Sequence, residues 1–402
     1  MTDSPRDSRK VQLVPRLEGQ GYEREQVDER RRWVEEATGT ELRRVGEFTI
    51  PSAEMRGNVE NPVGAVQMPL GVAGPLLVHG EHAQGTFYVP LATTEGALVR
   101  SYERGMVAIT RAGGAQARLI IDENRVSPVF FFDDVAAAAD FARVLPDHLP
   151  QLQEKANATT QHGRLLRVEC LPVGREVIVN FCYYTADAQG MNMIVRATDA
   201  ACQWIRDAID LPWRKPQYYV FSGYNSEKRA SGALLRGGKG KKVTAGVLLP
   251  RRVVRAVLRT TPENLVDLWR HTVIGHLNAG ALGYNGHLAN GLTALFIATG
   301  QDVANVANSA VGITQFELTD DGNVYASVTL PSLTVATVGG GTGLGTSREC
   351  LAMLGCVGSG KAPRLAEITA AMLLGGELSM GAALASGEFA AAHEAYGRNR
   401  PD

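Results

Sequence analysis

Several features that would assign this chain to a familiar class are missing from its sequence. None of its five cysteines forms a Cys-x-x-Cys pair, which argues against a zinc site or a disulfide framework and favours reduced thiols. No run of about 18 apolar residues occurs, so no membrane span is expected, and the polar start MTDSPRDSRK does not resemble a signal peptide. The formal net charge is only -1, which gives no general attraction for nucleic acid or anionic membranes. We therefore predict a cytoplasmic protein without a metal.

The usual phosphate-binding fingerprints are also missing. No G-x-G-x-x-G motif is present, so a standard Rossmann site is not indicated. The run GCVGSGKA comes close to a P-loop but has Ala362 where a Ser or Thr must hold magnesium, and a helical pattern precedes it where a strand is required. Glycine itself is abundant, with 44 residues, and GGGTGLG supplies backbone able either to approach a ligand or to form an ordinary turn.

A length of 402 residues predicts two domains, because a single core rarely serves a chain of this size. Residues 1–50 are highly charged with helical character, and we interpret them as a helical arm. Residues 51–114 and 222–402 contain most of the predicted helices and form the large domain. Residues 115–221 have a different pattern and form a small domain inserted into the large one.

The small domain has a recognisable order of elements. A strand is predicted at QARLIID, a helix at DDVAAAADFARVL, and two strands follow at GRLLRVECLPV and GREVIVNFCYYT. A second helix at MNMIVRATDAACQWIRDAI and a strand at QYYVFSG complete the order β-α-β-β-α-β. This order predicts a ferredoxin-like module. The fold class is therefore α+β: a large, mainly helical domain that carries a small ferredoxin-like domain.

Four isolated ionisable residues lie in small or apolar surroundings: Glu95 in LATTEGALV, Lys228, Asp302 in ATGQD, and His393. Thr93 or Thr94 is a plausible N-cap for a helix that contains Glu95. Each of the four residues alone also has an ordinary structural interpretation, such as a helix cap or a surface position. An acid, an ammonium, a second acid and an imidazole are together the groups that carbonyl chemistry requires.

Longer motifs reveal a resemblance to one family. ENPVG, MPLGVAGPL, LATTEGALV, DAQGMNM, GYNGHLAN, ATGQD, TVGGGTGLG and AALASGEFAAAH occur in that order between residues 60 and 393. With these motifs the chain resembles 3-hydroxy-3-methylglutaryl-CoA (HMG-CoA) reductases over nearly its whole length after residue 58. The resemblance is to prokaryotic members without a membrane anchor whose motifs are similar to those of the eukaryotic class.

The resemblance implies reduction of an acyl-CoA thioester to an alcohol by two hydride transfers from NAD(P)H. Glu95 would protonate the carbonyl oxygen, and Lys228 would hold this oxygen as it gains charge. Asp302 would bridge the two groups, Asn290 would orient them, and His393 would protonate the departing CoA thiolate. We expect Glu95 to be buried, because it must carry a proton at neutral pH.

The same resemblance makes the small domain the dinucleotide-binding domain and the large one the CoA- and substrate-binding domain. DAQGMNM would place a helix N-terminus at the pyrophosphate, and TVGGGTG would line the same groove. We favour NADPH over NADH, although the expected arginine near the ribose is replaced by Gln161; Arg164 or Arg167 could substitute. The implied cofactor-binding residues are Asp187, Gly190, Met191, Asn192, Met193, Gly340, Gly341 and Thr342.

The acyl pocket departs from the family pattern. Glu227-Lys228-Arg229 replaces Asp-Lys-Lys, Phe131 stands where the family has an arginine, His271 replaces a lysine, and Gln189 replaces a methionine. Loss of a cation weakens binding of an anionic acyl chain. Either the usual HMG-CoA substrate is retained, held by Arg229 and Ser222, or the pocket accepts another acyl thioester. The implied substrate-binding residues are Ser222, Glu227, Arg229, Arg104, Arg252, Phe131 and His271, of which Arg104 and Arg252 match positions that contact CoA phosphates.

Subunit organisation is also implied by the resemblance. The family builds its active site across a subunit interface, so a homodimer or a larger homo-oligomer is expected. ENPVG and ATTEG would come from one subunit, and the dinucleotide site with Asp302 from the other. A non-catalytic paralogue that binds CoA esters is the alternative; the presence of Glu95, Lys228, Asp302 and His393 together argues against it.

Overall fold

A computed structural model describes residues 13–17, 21–209 and 215–387. The chain divides into two compact units, one formed by Met1–Pro69 with Leu344–Thr346 and one by the remainder. In the described part of the first unit, Arg30 is only 2% exposed. Its guanidinium donates to the carbonyl oxygens of Pro62 at 2.6 Å and Gly21 at 3.2 Å, so a buried cation joins helix and loop in this charged segment.

The helices and strands have the following bounds. The helices are α1 Arg24–Thr38, α2 Arg43–Gly46, α3 Leu98–Arg111, α4 Val135–Val144, α5 Leu149–Asn157, α6 Met191–Ala208, α7 Arg251–Val253, α8 Pro262–Asn278, α9 Leu288–Thr299, α10 Val306–Ser309, α11 Gly345–Met353 and α12 Ala362–Ala385. The strands are β1 Leu70–His79, β2 Gln84–Ala92, β3 Ala115–Val126, β4 Val129–Phe131, β5 Arg164–Val173, β6 Glu176–Tyr184, β7 Gln217–Tyr219, β8 Gly240–Leu249, β9 Ile313–Leu318 and β10 Val324–Leu333.

The small module has the strand order β7-β4-β6-β5, with every pair antiparallel. Helices α4, α5 and α6 accompany it, and a core separate from the main one contains Phe130, Phe181 and Ile205. This is the ferredoxin-like arrangement predicted from the sequence, with one correction. Its first strand is β4, Val129–Phe131, whereas the QARLIID segment lies within β3.

Strand β3 belongs to two regions of sheet. Its first two residues pair with β1 in parallel, residues up to Glu123 pair with β8, and Asn124 to Val126 pair with β6 of the small module. Strand β8 continues to β10 and then to β9, all antiparallel. A single twelve-residue strand therefore connects the two regions by continuous hydrogen bonding.

Helix α12 is the centre of the larger core. It packs against α3, β3, β8 and β10. Among the described helices it alone is long and apolar enough to cross a membrane by length and composition, but 83% of its apolar stretch is buried within the protein. A Cβ atom at Gly105 of α3 would lie 1.7 Å from the carbonyl oxygen of Gly375 in α12. The close crossing of these helices therefore requires glycine at position 105.

Helix α3 begins later than the sequence suggested. The hydroxyl of Thr93 accepts the N–H of Glu95 at 3.0 Å and closes a short turn. The helix starts at Leu98 after Ala97, which has φ of 70° in the left-handed region. The predicted cap at Thr93 or Thr94 is therefore wrong, and Glu95 lies in a loop between β2 and α3.

Candidate active site

Lys228 and Asp302 form an ion pair, with 2.8 Å between Nζ and Oδ2. Asp302 caps the short helix Val303–Asn305 by accepting the N–H of Ala304 at 3.1 Å, which fixes its carboxylate. The hydrogen bond that Lys228 donates to the Asp302 carboxylate raises the pKa of Lys228 above its usual value, and burial only partly opposes this. Lys228 therefore presents a permanent ammonium at neutral pH.

Glu95 and Asn290 form a second pair. The Asn290 amide donates to Oε1 of Glu95 at 3.3 Å, and Asn290 lies in the first turn of α9. Glu95 is exposed in this single chain, so the expectation of a buried carboxyl is wrong here. Its loop position explains the exposure, because the side chain stands on a turn at the surface and not on the packed face of α3.

The two pairs remain separate in the described residues. No hydrogen bond or ion pair joins Glu95 or Asn290 to Lys228 or Asp302 there. The structure brings together two halves of the predicted set, an acid with its amide and an ammonium with its carboxylate. His393 lies outside the described residues.

The turn that carries Asn290 is held by a carboxylate that the sequence reasoning missed. Glu377 of α12 is 4% exposed and accepts the N–H groups of Gly286 at 2.7 Å and His287 at 2.8 Å. The hydroxyl of Thr314 donates to the same carboxylate at 2.9 Å. Burial alone would raise the pKa of Glu377, but His287 and the main-chain N–H groups outweigh burial and lower the pKa. Its signal in the sequence was an acid within the apolar run AAMLLGGELSMGAAL.

Replacing Glu377 with glutamine is expected to lower the free energy of unfolding by about 2–4 kcal/mol at neutral pH, because two main-chain donors lose a charged acceptor. Because folding lowers the pKa of Glu377, its contribution is present above the pKa of the unfolded chain and is lost as pH falls through the folded value. The difference between wild type and variant in urea unfolding should therefore hold from pH 7 to about pH 5 and shrink as the pH falls below 4.5, the ordinary pKa of a glutamate. A constant difference would contradict this role. The exposed Glu317 of β9, changed to glutamine, is the control.

A cavity of about 230 Å³ lies beside this turn. Tyr284, Asn285 and Gly286 of the GYNG segment form one wall, with α8, β9 and α12 around the rest. Trp269, Phe316 and Met380 make much of its lining apolar. The cavity can accept an uncharged portion of a ligand next to the residues that position Asn290.

The candidate dinucleotide segments lie together. Helix α6 starts at Met191 after Gly190, which has φ of 75°. No side chain caps this end of the helix, so its first N–H groups remain available as donors to a ligand. The Asp187 carboxylate accepts the N–H groups of Gly360 at 2.7 Å and Ala362 at 2.9 Å, at the start of α12. Its carbonyl oxygen accepts the N–H of Thr337 at 2.9 Å. Asp187 therefore ties the DAQGMNM loop to the segment leading into TVGGG.

The glycine loop of TVGGGTG packs directly on the turn that carries Asp302. A Cβ atom at Gly300 would lie 2.3 Å from the carbonyl oxygen of Gly341. The side-chain oxygen of Gln301 accepts the N–H of Ala336 at 2.8 Å, and the side-chain amide of Gln301 donates to the carbonyl oxygen of Ala336 at 3.0 Å. By contrast, a Cβ at Gly340 would meet nothing within 4 Å, so the outer side of this loop is open to a ligand. Thr342 is buried and donates to the carbonyl of Gly339 at 2.7 Å.

Of the remaining cofactor residues, Asn192 is exposed on the first turn of α6 and Met193 contacts Thr160 through its sulfur at 2.8 Å. Arg167 is engaged by Glu123 at 2.6 Å and by Glu169, whereas Arg164 is exposed at the start of β5. Arg164 is therefore the better placed of the two arginines to meet an added phosphate.

The loop with Lys228 contains further predicted residues. Ser222 donates to the carbonyl of Ser127 at 2.6 Å, which joins the loop to the residue between β3 and β4. Arg229 lies over the ring of Phe221 at 5.2 Å and is exposed. Glu227 pairs with Lys239, a lysine with no exposed side-chain surface that sequence reasoning had not singled out.

Four substrate positions receive less support. Phe131 packs edge-on against Tyr219 at 5.2 Å on the surface of the small module. His271 is 74% exposed on α8 and pairs weakly with Asp267 at 3.6 Å, so the structure does not bring it to Lys228 or Glu95. Arg104 donates to Ser379 of α12 at 2.9 and 2.6 Å, and Arg252 is exposed on α7.

A group of potential metal ligands, Glu81, His82 and Glu367, occurs in the described part of the chain. Glu367 is fully buried and accepts the N–H groups of Glu81, His82 and Ala83 at 3.1, 2.8 and 2.7 Å. Its oxygens therefore close the turn between β1 and β2, and we assign no metal to it.

The fold, with a ferredoxin-like module in place of a Rossmann domain, and the family match place the chain among oxidoreductases that act on an acyl-CoA. The chain belongs to the hydroxymethylglutaryl-coenzyme A reductase family, whose profile matches residues 26–398. It is 41% identical over 373 residues to the 3-hydroxy-3-methylglutaryl-coenzyme A reductase of Methanocaldococcus jannaschii, covering 92% of each chain. It is 42% identical over 378 residues to that of Aeropyrum pernix, covering 92% of this chain and 89% of the relative. A class II reductase structure from Streptococcus pneumoniae bound to NADPH has the same fold, with a TM-score of 0.66 and 20% identity over 89% of this chain and 96% of that one.

Proposed function

We propose that this chain reduces HMG-CoA to mevalonate with two molecules of NADPH and releases coenzyme A. The observation that carries the proposal is the Lys228–Asp302 ion pair at 2.8 Å, on a turn packed against the open glycine loop. Family membership supports the substrate. We also place the reaction in the cytoplasm, in line with the prokaryotic relatives.

NADPH, when bound, supplies the two hydrides. The residues present fit it, because the uncapped start of α6 offers N–H donors to a pyrophosphate and the outer side of Gly340 is open. Arg164 is the proposed partner of the additional phosphate. The Asp187 carboxylate joins the DAQGMNM loop to the start of α12 by accepting the N–H groups of Gly360 and Ala362.

In the first reduction, Lys228 holds the thioester oxygen while negative charge develops on it. Glu95 donates the proton that neutralises this oxygen, and Asn290 keeps its carboxyl oriented. The tetrahedral product then loses its C–S bond: its O–H proton returns to the Glu95 carboxylate, the electron pair of the C–S bond leaves with sulfur, and the carbon becomes an aldehyde. His393 is proposed to protonate the departing thiolate, which prevents its return to the aldehyde.

In the second reduction the aldehyde oxygen again lies next to the Lys228 ammonium, and the Glu95 carboxyl again donates the proton to it. The balance is one thioester, two NADPH and two protons converted to one alcohol, one thiol and two NADP⁺. Using one site twice requires that it open between steps to exchange cofactor.

We further propose a homodimer or larger homo-oligomer in which a second copy completes each site. Two observations support this. Glu95 is exposed in the single chain although its proposed role requires shielding from water, and the Glu95–Asn290 and Lys228–Asp302 pairs are not joined within one chain. A partner surface that covers Glu95 would supply the dry environment that proton donation needs.

Turnover with different CoA esters tests the proposed substrate. The purified protein should oxidise NADPH with HMG-CoA, and its kcat/KM for HMG-CoA should exceed that for butyryl-CoA by about tenfold or more, because Arg229 can still attract the carboxylate. The measurement is the loss of NADPH absorbance, with NADH run in parallel. Equal values for the charged and uncharged esters would favour another acyl thioester, and no oxidation with any ester would favour the non-catalytic alternative.

A further inference from the structure

Lys239 is the most completely buried lysine next to the candidate site. It has no exposed side-chain surface, and it stands immediately before β8. Its ammonium contacts the carboxylate of Glu227, the side-chain oxygen of Asn124 at 2.9 Å and the sulfur of Met191 at 3.1 Å. These three partners belong to the Lys228 loop, to β3 and to the start of α6.

Two further hydrogen bonds donated by side chains connect the same three segments. The Gln189 amide donates to Oε1 of Glu227 at 3.0 Å, and the Asn124 amide donates to the carbonyl of Gln189 at 3.0 Å. Glu227 and Gln189 are two of the positions at which this sequence departs from the family pattern. The two departures contact each other, so the longer acid and the amide form one unit centred on Lys239.

The backbone around Glu227 is strained. Ser226 and Lys228, neither of them glycine, both have φ of 55° in the left-handed region. Such a conformation is unfavourable for a residue with a side chain and persists only where the surroundings impose it. Glu227, between these two residues, is anchored by Lys239 and Gln189. The anchor therefore holds the conformation in which Lys228 reaches Asp302.

The charges around Lys239 favour a fixed position for its ammonium next to Glu227. Burial lowers the pKa of Lys239, and the Glu227 carboxylate opposes this; Arg125 and Lys228 are the other cations that face it. A buried ammonium next to two cations is stable only with a carboxylate in direct contact. Lys239 therefore depends on its contact with Glu227.

We propose that Lys239 is a positioning residue that fixes the start of α6 and the Lys228 loop relative to each other. The Lys239 ammonium would thereby position both the segment that binds NADPH and the Lys228 ammonium that holds the carbonyl oxygen of the substrate. This inference rests on the proposed function for its catalytic part. Its binding part concerns NADPH alone and can be measured without turnover.

Lys241 offers a matched control on the same strand. It is 3% exposed and pairs with Asp122 at 2.6 Å, but Asp122 belongs to β3 and the pair touches neither loop. Lys239→Met and Lys241→Met each remove one buried ammonium and leave one carboxylate without its cation. Both are expected to lower the melting temperature.

The two variants should differ in function. Lys239→Met should lower kcat with HMG-CoA by at least about tenfold and weaken NADPH binding several-fold, since a displacement near 1 Å at a reacting group is enough for such losses. Lys241→Met should keep both values within about twofold of wild type. NADPH binding is measured by quenching of tryptophan fluorescence, and kcat and KM by NADPH oxidation. Lys239→Arg, which keeps the charge and can displace the flexible Met191, should recover part of the loss.

Each outcome decides something. If both lysine variants bind NADPH and turn over equally, Lys239 is an ordinary core residue and the inference is overturned. If Lys239→Met loses its folded melting transition, a folded Lys239→Arg protein with part of the wild-type kcat and NADPH affinity would support the need for a correctly placed cation at this position. If the wild-type protein oxidises no NADPH with HMG-CoA, the proposed function fails; the NADPH titration of the two variants still decides whether Lys239 orders the start of α6.

Discussion

Replacing Lys228 with alanine is expected to lower kcat with HMG-CoA by about 10²- to 10³-fold, the usual effect of removing one donor to a developing oxyanion. The side chain is 47% exposed and its loop is anchored through Glu227, so the fold should survive the change. The melting temperature should stay close to that of the wild type. Lys155 of α5, whose side chain is 42% exposed and which lies outside the candidate site, is the control: its change to alanine should keep full turnover.

The pH profile sharpens this test. Asp302 raises the pKa of Lys228 above its usual value of 10.5, so the ammonium persists as pH rises through neutrality and wild-type kcat should show no alkaline fall from this group below about pH 9. Asp302→Asn removes the stabilising carboxylate and should move an alkaline fall to lower pH. A Lys228→Ala protein with undiminished kcat would exclude Lys228 as the group that holds the oxygen.

Replacing Glu95 with glutamine is expected to lower kcat by about 10²- to 10⁴-fold, because an amide cannot donate an acidic proton to the carbonyl oxygen. The glutamine still reaches the Asn290 amide, so KM for HMG-CoA should change little. Single-turnover measurement of NADPH oxidation would show the loss in the chemical step. A much higher KM with unchanged kcat would instead make Glu95 a binding residue.

Mixing the two inactive proteins tests the shared site. If Glu95 and Lys228 from different copies meet, subunit exchange between Glu95→Gln and Lys228→Ala proteins gives hybrid dimers with one intact site. About a quarter of wild-type activity should then return for randomly formed pairs. No recovery, with exchange verified by mass, would place both residues of each site on one chain.

Short sequence motifs predict the family, the reaction class and the small module of this protein. The family, the reaction class and the ferredoxin-like module follow from contiguous runs such as LATTEGALV and from the alternation of apolar residues, which are local properties of a sequence. The Lys228–Asp302 and Glu95–Asn290 contacts join residues that the sequence predicts to act together. Local patterns are informative where the chemistry requires a residue within a fixed backbone shape.

The remaining features depend on distant parts of the chain. Strand β4 has only three residues, too few for a visible alternation, and is recognised as the first strand of the module only by its partners β6 and β7. The burial of Lys239 and Glu377 results from tertiary packing, and nothing in the adjacent sequence shows which partner each residue meets. Glu95 is exposed in the single chain although its proposed role predicts burial. A chemical role does not determine which residues of the same chain cover a side chain.

The double pairing of β3 limits how this enzyme can be rebuilt. A chimera that exchanges the ferredoxin-like module for that of a relative should keep β3, Ala115–Val126, intact, either by leaving the strand and its register on β8 in the host or by transferring the whole strand. Because β3 belongs to both regions, calorimetry should show one cooperative transition, and a recombination point after Val126 should be tolerated better than one at Leu119.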